Sequence, residues 1–118
     1  MAKKPKKKNL IWKKEVPVLG TVYEIFYEKK GKRFIDLECD GYTTWDLKEI
    51  HVCSSGCKPY DRKVMRHEVL HAFMFESGYF GNENPRRREN IHDEQLIDFW
   101  SVQLPKVFEV FKELQILD

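Results

Sequence analysis

Polar and apolar residues alternate most regularly over 21–28, Thr-Val-Tyr-Glu-Ile-Phe-Tyr-Glu. This stretch is rich in β-branched and aromatic side chains and predicts a strand. β character extends over 16–53. Lys29-Lys30-Gly31-Lys32 supplies a turn, with Gly31 free to take positive φ. Residues 33–39 return as a second strand with Arg33, Ile35, Leu37 and Cys39 on one face, so the two strands make a hairpin. Asp40-Gly41 turns the chain again, and 42–46 reads as a loop. The short alternation Glu49-Ile50-His51-Val52-Cys53 predicts a third strand, placed at the sheet edge, where an extended peptide can add.

Beyond a loop at 54–59 the period changes to that of a helix. Asp61 is a suitable N-cap, and no Gly or Pro follows until Gly78, which fits the C′ position. Val64, Met65, Val69, Leu70, Phe73, Met74 and Phe75 spread apolar atoms around nearly the whole circumference, which predicts a buried helix. Residues 79–90 are polar, contain Gly81, Pro85 and Arg86-Arg87-Arg88, and read as a loop with a solvated basic face. Asn90 caps a helix over 91–102. Pro105 opens a last helix to 117 that packs through Val107, Phe108, Phe111 and Leu114. The expected fold is α+β: a small antiparallel sheet packed on one long helix, with two further helices.

A length of 118 residues predicts one domain, and a chain that is 42% hydrophobic and 14% aromatic has enough apolar content for its core. Lys3, Lys4, Lys6, Lys7 and Lys8 carry five of the positive charges, so removing them turns the net +2 into −3 from Asn9 onward. A mildly acidic body is not a general nucleic-acid binder. Residues 1–9 are expected to be a disordered, solubilising basic tail, with weak contact to a polyanion as its other role; residues 10–118 form the domain. No stretch has the length of a signal-peptide apolar region or a membrane span, which points to a cytoplasmic protein with no membrane partner. Three cysteines suit a reducing compartment. Cys53 and Cys57, with His51 and Cys39, raise the idea of a second zinc site, but no matching Cys/His pair follows, so the thiols read as free or partly buried.

The chemistry is concentrated in His67-Glu68-Val69-Leu70-His71. On a helix, positions i and i+4 lie one above the other, so His67 and His71 can offer two imidazoles to one metal ion. Glu68 beside them can take a proton from the attacking water without being a ligand. A catalytic zinc usually has three protein ligands. Glu94 is the preferred third, because Asp98 lies one turn beyond it and can accept the outer N–H of a ligand histidine. His92 is the rival third ligand, pointing roughly half a turn away. An oxyanion donor is also needed, and His92, Tyr79 and Arg88 are candidates.

The combination of His67-Glu68-x-x-His71 with Glu94-x-x-x-Asp98 resembles the gluzincin pattern of thermolysin-type zinc metallopeptidases. The line from the Tyr23 region through His71-Ala-Phe-Met-Phe-Glu-Ser-Gly to Asp98 resembles short zincin-like proteins of phages and mobile elements of Gram-positive bacteria. Its layout is similar to that of metallopeptidases of mobile elements that cleave immunity repressors. The specific part covers residues 64–98. The resemblance implies a minimal zincin-like fold and one zinc ion held by His67, His71 and Glu94. It also implies Glu68 as general base, Asp98 supporting a histidine, and a bacterial host cell. No large second lobe follows the third ligand, so one or a few protein substrates, such as a regulator of the host or the mobile element, are expected rather than general proteolysis. Two other classes stay open: a catalytically silent zinc-binding regulatory or interaction module, and a nucleic-acid binder joining the Lys tail to Arg86, Arg87 and Arg88.

Overall fold

The computed structural model describes residues 7–78 and 94–118. It is a small α+β fold: a four-stranded mixed sheet with three α-helices among the described residues. Strand β1 (Leu10–Val18) pairs antiparallel with β2 (Thr21–Glu28) through a tight turn at Leu19 and Gly20. Both turn residues have positive φ, 51° and 88°, the backbone that matches the twist of a two-residue hairpin. The hairpin partner of β2 is therefore the strand before it rather than residues 33–39. Asn9, expected in the disordered tail, accepts a backbone hydrogen bond from Lys29 at 2.8 Å, and a short 3-10 turn spans Lys7–Asn9.

Residues Lys32–Leu37 form helix α1 instead of a strand. Only Phe34 is buried there, while Ile35 and Leu37 stay exposed, so the apparent alternation had no sheet to serve. The physical reason is the strand order β1-β2-β4-β3. The second edge of β2 is taken by β4 (Glu49–Cys53), which runs parallel to it. A parallel pair needs a long crossover, and α1 lies in that crossover. Strand β3 (Gly41–Thr44), expected as loop, then pairs antiparallel with the outer side of β4. The boundaries of β4 match the sequence reading, but it is an interior strand with all five residues buried. The edge is β3.

Helix α2 (Lys58–Glu76) starts one turn before the expected Asp61, with Cys57 at the N-cap and Pro59 in the first turn, where its missing N–H costs nothing. Asp61 instead accepts hydrogen bonds from the Ser55 amide, the Ser55 hydroxyl and the Tyr27 hydroxyl, tying the helix start to β2 and the preceding loop. Gly78 follows the helix at φ 78°, as a C′ glycine should. Met65, Val69, Ala72 and Phe73 bury one side of α2, Asp61 and Glu68 are buried as well, and its other residues are partly or fully exposed. Helix α3 (Glu94–Leu114) is one continuous element with Pro105 inside it, where two helices were expected. Val107, Val110, Phe111 and Leu114 form its buried stripe; Phe108 is turned outward.

The core lies on one face of the sheet, where Val16, Val18, Tyr23, Ile25, Ile50 and Val52 meet α2 and α3. The opposite face carries a cross-strand row of rings, Phe26, His51 and Tyr42, in register on β2, β4 and β3. The His51 ring stacks at 4.7 Å on Phe26 and 4.8 Å on Tyr42. Its Nδ1 is 2.8 Å from Glu28 Oε2 and its Nε2 2.9 Å from Glu49 Oε1, with no exposure of His51 at all (0%). Both contacts to ionised carboxylates are hydrogen bonds only when each ring nitrogen carries a proton. Phe34 of α1 packs on Tyr42 at 5.5 Å.

Candidate metal centre

The face of α2 that looks along β3 carries Tyr60, Val64, His67, Glu68, His71 and Phe75, spaced by three or four residues as one helical stripe. His67 is exposed and His71 half-buried. Their Nε2 atoms converge to 3.1 Å, with the rings edge-on at 75°. Two nitrogens at about 2.0–2.1 Å from a tetrahedral zinc stand roughly 3.3 Å apart, so the pair has the spacing that a shared ion requires. The donor set fits too, since neutral imidazole is a good zinc ligand. One imidazole donating to the other gives a similar distance, so the third ligand distinguishes a metal site from a histidine pair.

Glu68 shares the cleft with His67, sits in the seam between α2 and β3, and is 7% exposed. The Thr43 hydroxyl lies 2.9 Å from Glu68 Oε1 and 3.1 Å from the Glu68 carbonyl oxygen. A hydroxyl has one proton, so Thr43 shares it between these acceptors and fixes the carboxylate against the strand. Gly41 permits that closeness. A Cβ there would stand 2.8 Å from Val64 Cγ1, 3.1 Å from the His51 carbonyl oxygen and 3.3 Å from Glu68 Cγ.

The sequence reading missed Gly41 and Thr43 because it placed them in a loop. The available signal was Tyr42-Thr43-Thr44, three residues that favour strands.

The surroundings differ on the two sides of the histidines. Toward the helix N-terminus a shallow cleft of about 240 Å³ is lined by Asp40, Tyr60, Lys63 and His67, among others. Tyr60 donates to Asp40 Oδ2 at 2.5 Å, and this bond with the Asp40 charge raises the phenol above its usual value. Toward the C-terminus the rings of His71, Phe75 and Trp45 follow one another at 6.4 and 6.1 Å. A larger cavity, about 530 Å³, lies between β1, the first turns of α2 and the end of α3, and contains neither histidine of the pair.

Among the described residues, no three His, Cys, Asp or Glu side chains are arranged so that they could hold a metal ion. The expected third ligand Glu94 and its partner Asp98 belong to the first turns of α3, but their side chains lie outside the described residues. His92, Tyr79 and Arg88, the candidate oxyanion donors, also lie outside them. The second zinc site does not form among the described residues: both His51 nitrogens face carboxylates, and Cys39, Cys53 and Cys57 are free. Burial raises the Cys39 and Cys53 thiols, so neither is a ready thiolate. No described helix is long and apolar enough to cross a membrane. No family model matches the chain, and no curated protein or solved structure is significantly similar to it.

Proposed function

We propose that this chain is a zinc-dependent metallopeptidase with a minimal zincin-like fold, acting on extended segments of one or a few protein substrates. The observation that carries the reading is the convergence of His67 and His71 Nε2 at 3.1 Å beside a carboxylate, Glu68, that Thr43 holds at the edge of the sheet. A histidine pair kept for packing has no need of a positioned base next to it.

In this reading His67, His71 and Glu94 hold the metal, and Asp98 accepts the outer N–H of a ligand histidine. Zinc supplies Lewis acidity toward water and the scissile carbonyl. Glu68 takes a proton from the attacking water and returns it to the leaving amine. Strand β3 has no partner strand on its outer side among the described residues, so a substrate can add there as a further strand and lie across Glu68. Regulators of a phage or mobile element, met in the cytoplasm of a bacterial host, are the substrate class that fits the sequence resemblance.

The test is elemental analysis of wild type, Glu94→Ala and Glu68→Gln purified without added metal, followed by peptide hydrolysis. About one zinc per chain in wild type and Glu68→Gln, lost in Glu94→Ala, with hydrolysis by wild type only, is the expected result. Zinc without hydrolysis would favour the silent binding module. No zinc, even after addition, would end the metallopeptidase reading.

A further inference from the structure

The polarity of the site changes along β3. Side chains alternate across a strand, and Gly41 and Thr43 face α2: Gly41 beneath Val64 and Thr43 on Glu68. Continuing that alternation one residue past the strand brings Trp45 to the same side, where its ring meets Phe75 at 6.1 Å. One such two-residue step is roughly 7 Å, so Trp45 stands about one residue pair beyond the base. Phe75 in turn faces the ring of His71 at 6.4 Å. Trp45 is 55% exposed, a large apolar surface beside a reactive group rather than in the core. The opposite end of β3 is polar, with Asp40, Tyr60 and Lys63 around the small cleft.

Strand direction orients a bound peptide. Antiparallel addition is the slightly more stable pairing. A peptide running antiparallel to β3 puts its N-terminal residues at Trp45 and its C-terminal residues at Asp40 and Lys63. We infer that Trp45 and Phe75 form the specificity surface of the site, receiving a bulky apolar side chain, aromatic above all, from the N-terminal side of the bond acted on. This inference rests on the metallopeptidase reading and deepens it. Stacking on two rings while leaving water favours such a side chain over a small polar one by about tenfold.

The experiment exposes zinc-loaded enzyme to a peptide library made by digesting a bacterial proteome with a lysine-specific protease, and reads new termini by mass spectrometry. Wild type is expected to enrich Phe, Tyr, Trp, Leu or Met about tenfold over Ser and Gly within two residues before the cleaved bond. Trp45→Ala and Phe75→Ala should flatten that preference, and Trp45→Phe should keep most of it, with zinc content unchanged in all three. A binding measurement is independent of turnover. Glu68→Gln titrated with the best cleaved peptide should bind it about tenfold more tightly than the same peptide with Ser at the apolar position. Cleavage without the preference, a preference that survives Trp45→Ala, or equal binding of the two peptides would overturn the inference and leave the peptidase standing. No cleavage of any peptide by zinc-loaded wild type would overturn both.

Discussion

Replacing His51 by Ala tests what holds the two sides of the site together. The substitution leaves Glu28 and Glu49, 7% and 6% exposed, without the ring that bridges them. Leaving a buried hydrogen-bonding group without its partner costs about 1–3 kcal/mol for each of the two carboxyl groups, because they stay desolvated. Each lost ring stack, on Phe26 and on Tyr42, is worth about 0.5–1.5 kcal/mol. The cavity lets the structure relax, so these do not add in full, and a loss of about 4 kcal/mol is expected. Unfolding entropy near 2.1 cal/mol/K per residue, over 118 residues, converts that to a fall in Tm of roughly 16 °C. Urea and thermal unfolding followed by circular dichroism measure both numbers. Adding Glu28→Gln and Glu49→Gln to His51→Ala neutralises the stranded carboxylates and should recover about half the loss. A cost below about 1 kcal/mol for His51→Ala, or no recovery in the triple variant, would refute the argument that His51, hydrogen-bonded to Glu28 and Glu49 and stacked on Phe26 and Tyr42, ties β2, β4 and β3 together.

Three further outcomes follow from individual contacts. Gly41→Ala forces a Cβ to 2.8 Å from Val64 and 3.1 Å from the His51 carbonyl oxygen, so β3 must move off α2; a loss of about 1–3 kcal/mol in urea unfolding is expected. Glu68→Gln should keep bound zinc while lowering peptide hydrolysis by about 10²–10⁴-fold, measured on metal-quantified protein. Burial pushes the Glu76 carboxyl up, but hydrogen bonds from Lys48, Tyr23 and Thr21 outweigh it and hold the group below its ordinary 4.5. A carboxyl depressed in the folded state stabilises fully above its unfolded value and loses that contribution as pH falls through its folded value. Wild type should therefore lose more stability than Glu76→Gln between about pH 5 and pH 3, read as Tm against pH.

The parts legible in the sequence are those that local chemistry decides. The spacing of His67 and His71 places both on one helical face whatever the helix packs against, and Gly78 ends that helix because positive φ suits glycine. The bounds of β4 and the core of β2 likewise follow from short-range alternation. What the chain could not declare locally is which strand lies beside which. Alternation in 33–39 looks the same for a strand as for a short helix with one inward residue, and the choice fell to α1 because β4 occupies the edge of β2. That same strand order puts β3 at the sheet edge and brings Thr43 to Glu68, 25 residues away in sequence. It also brings Trp45 to Phe75 and seals His51 between Glu28 and Glu49. The sequence by itself determined the pair of imidazoles and the carboxylate between them; only the tertiary structure decided what holds that carboxylate and what surface lies beside it, because strand pairing is a choice among distant partners that no local period encodes.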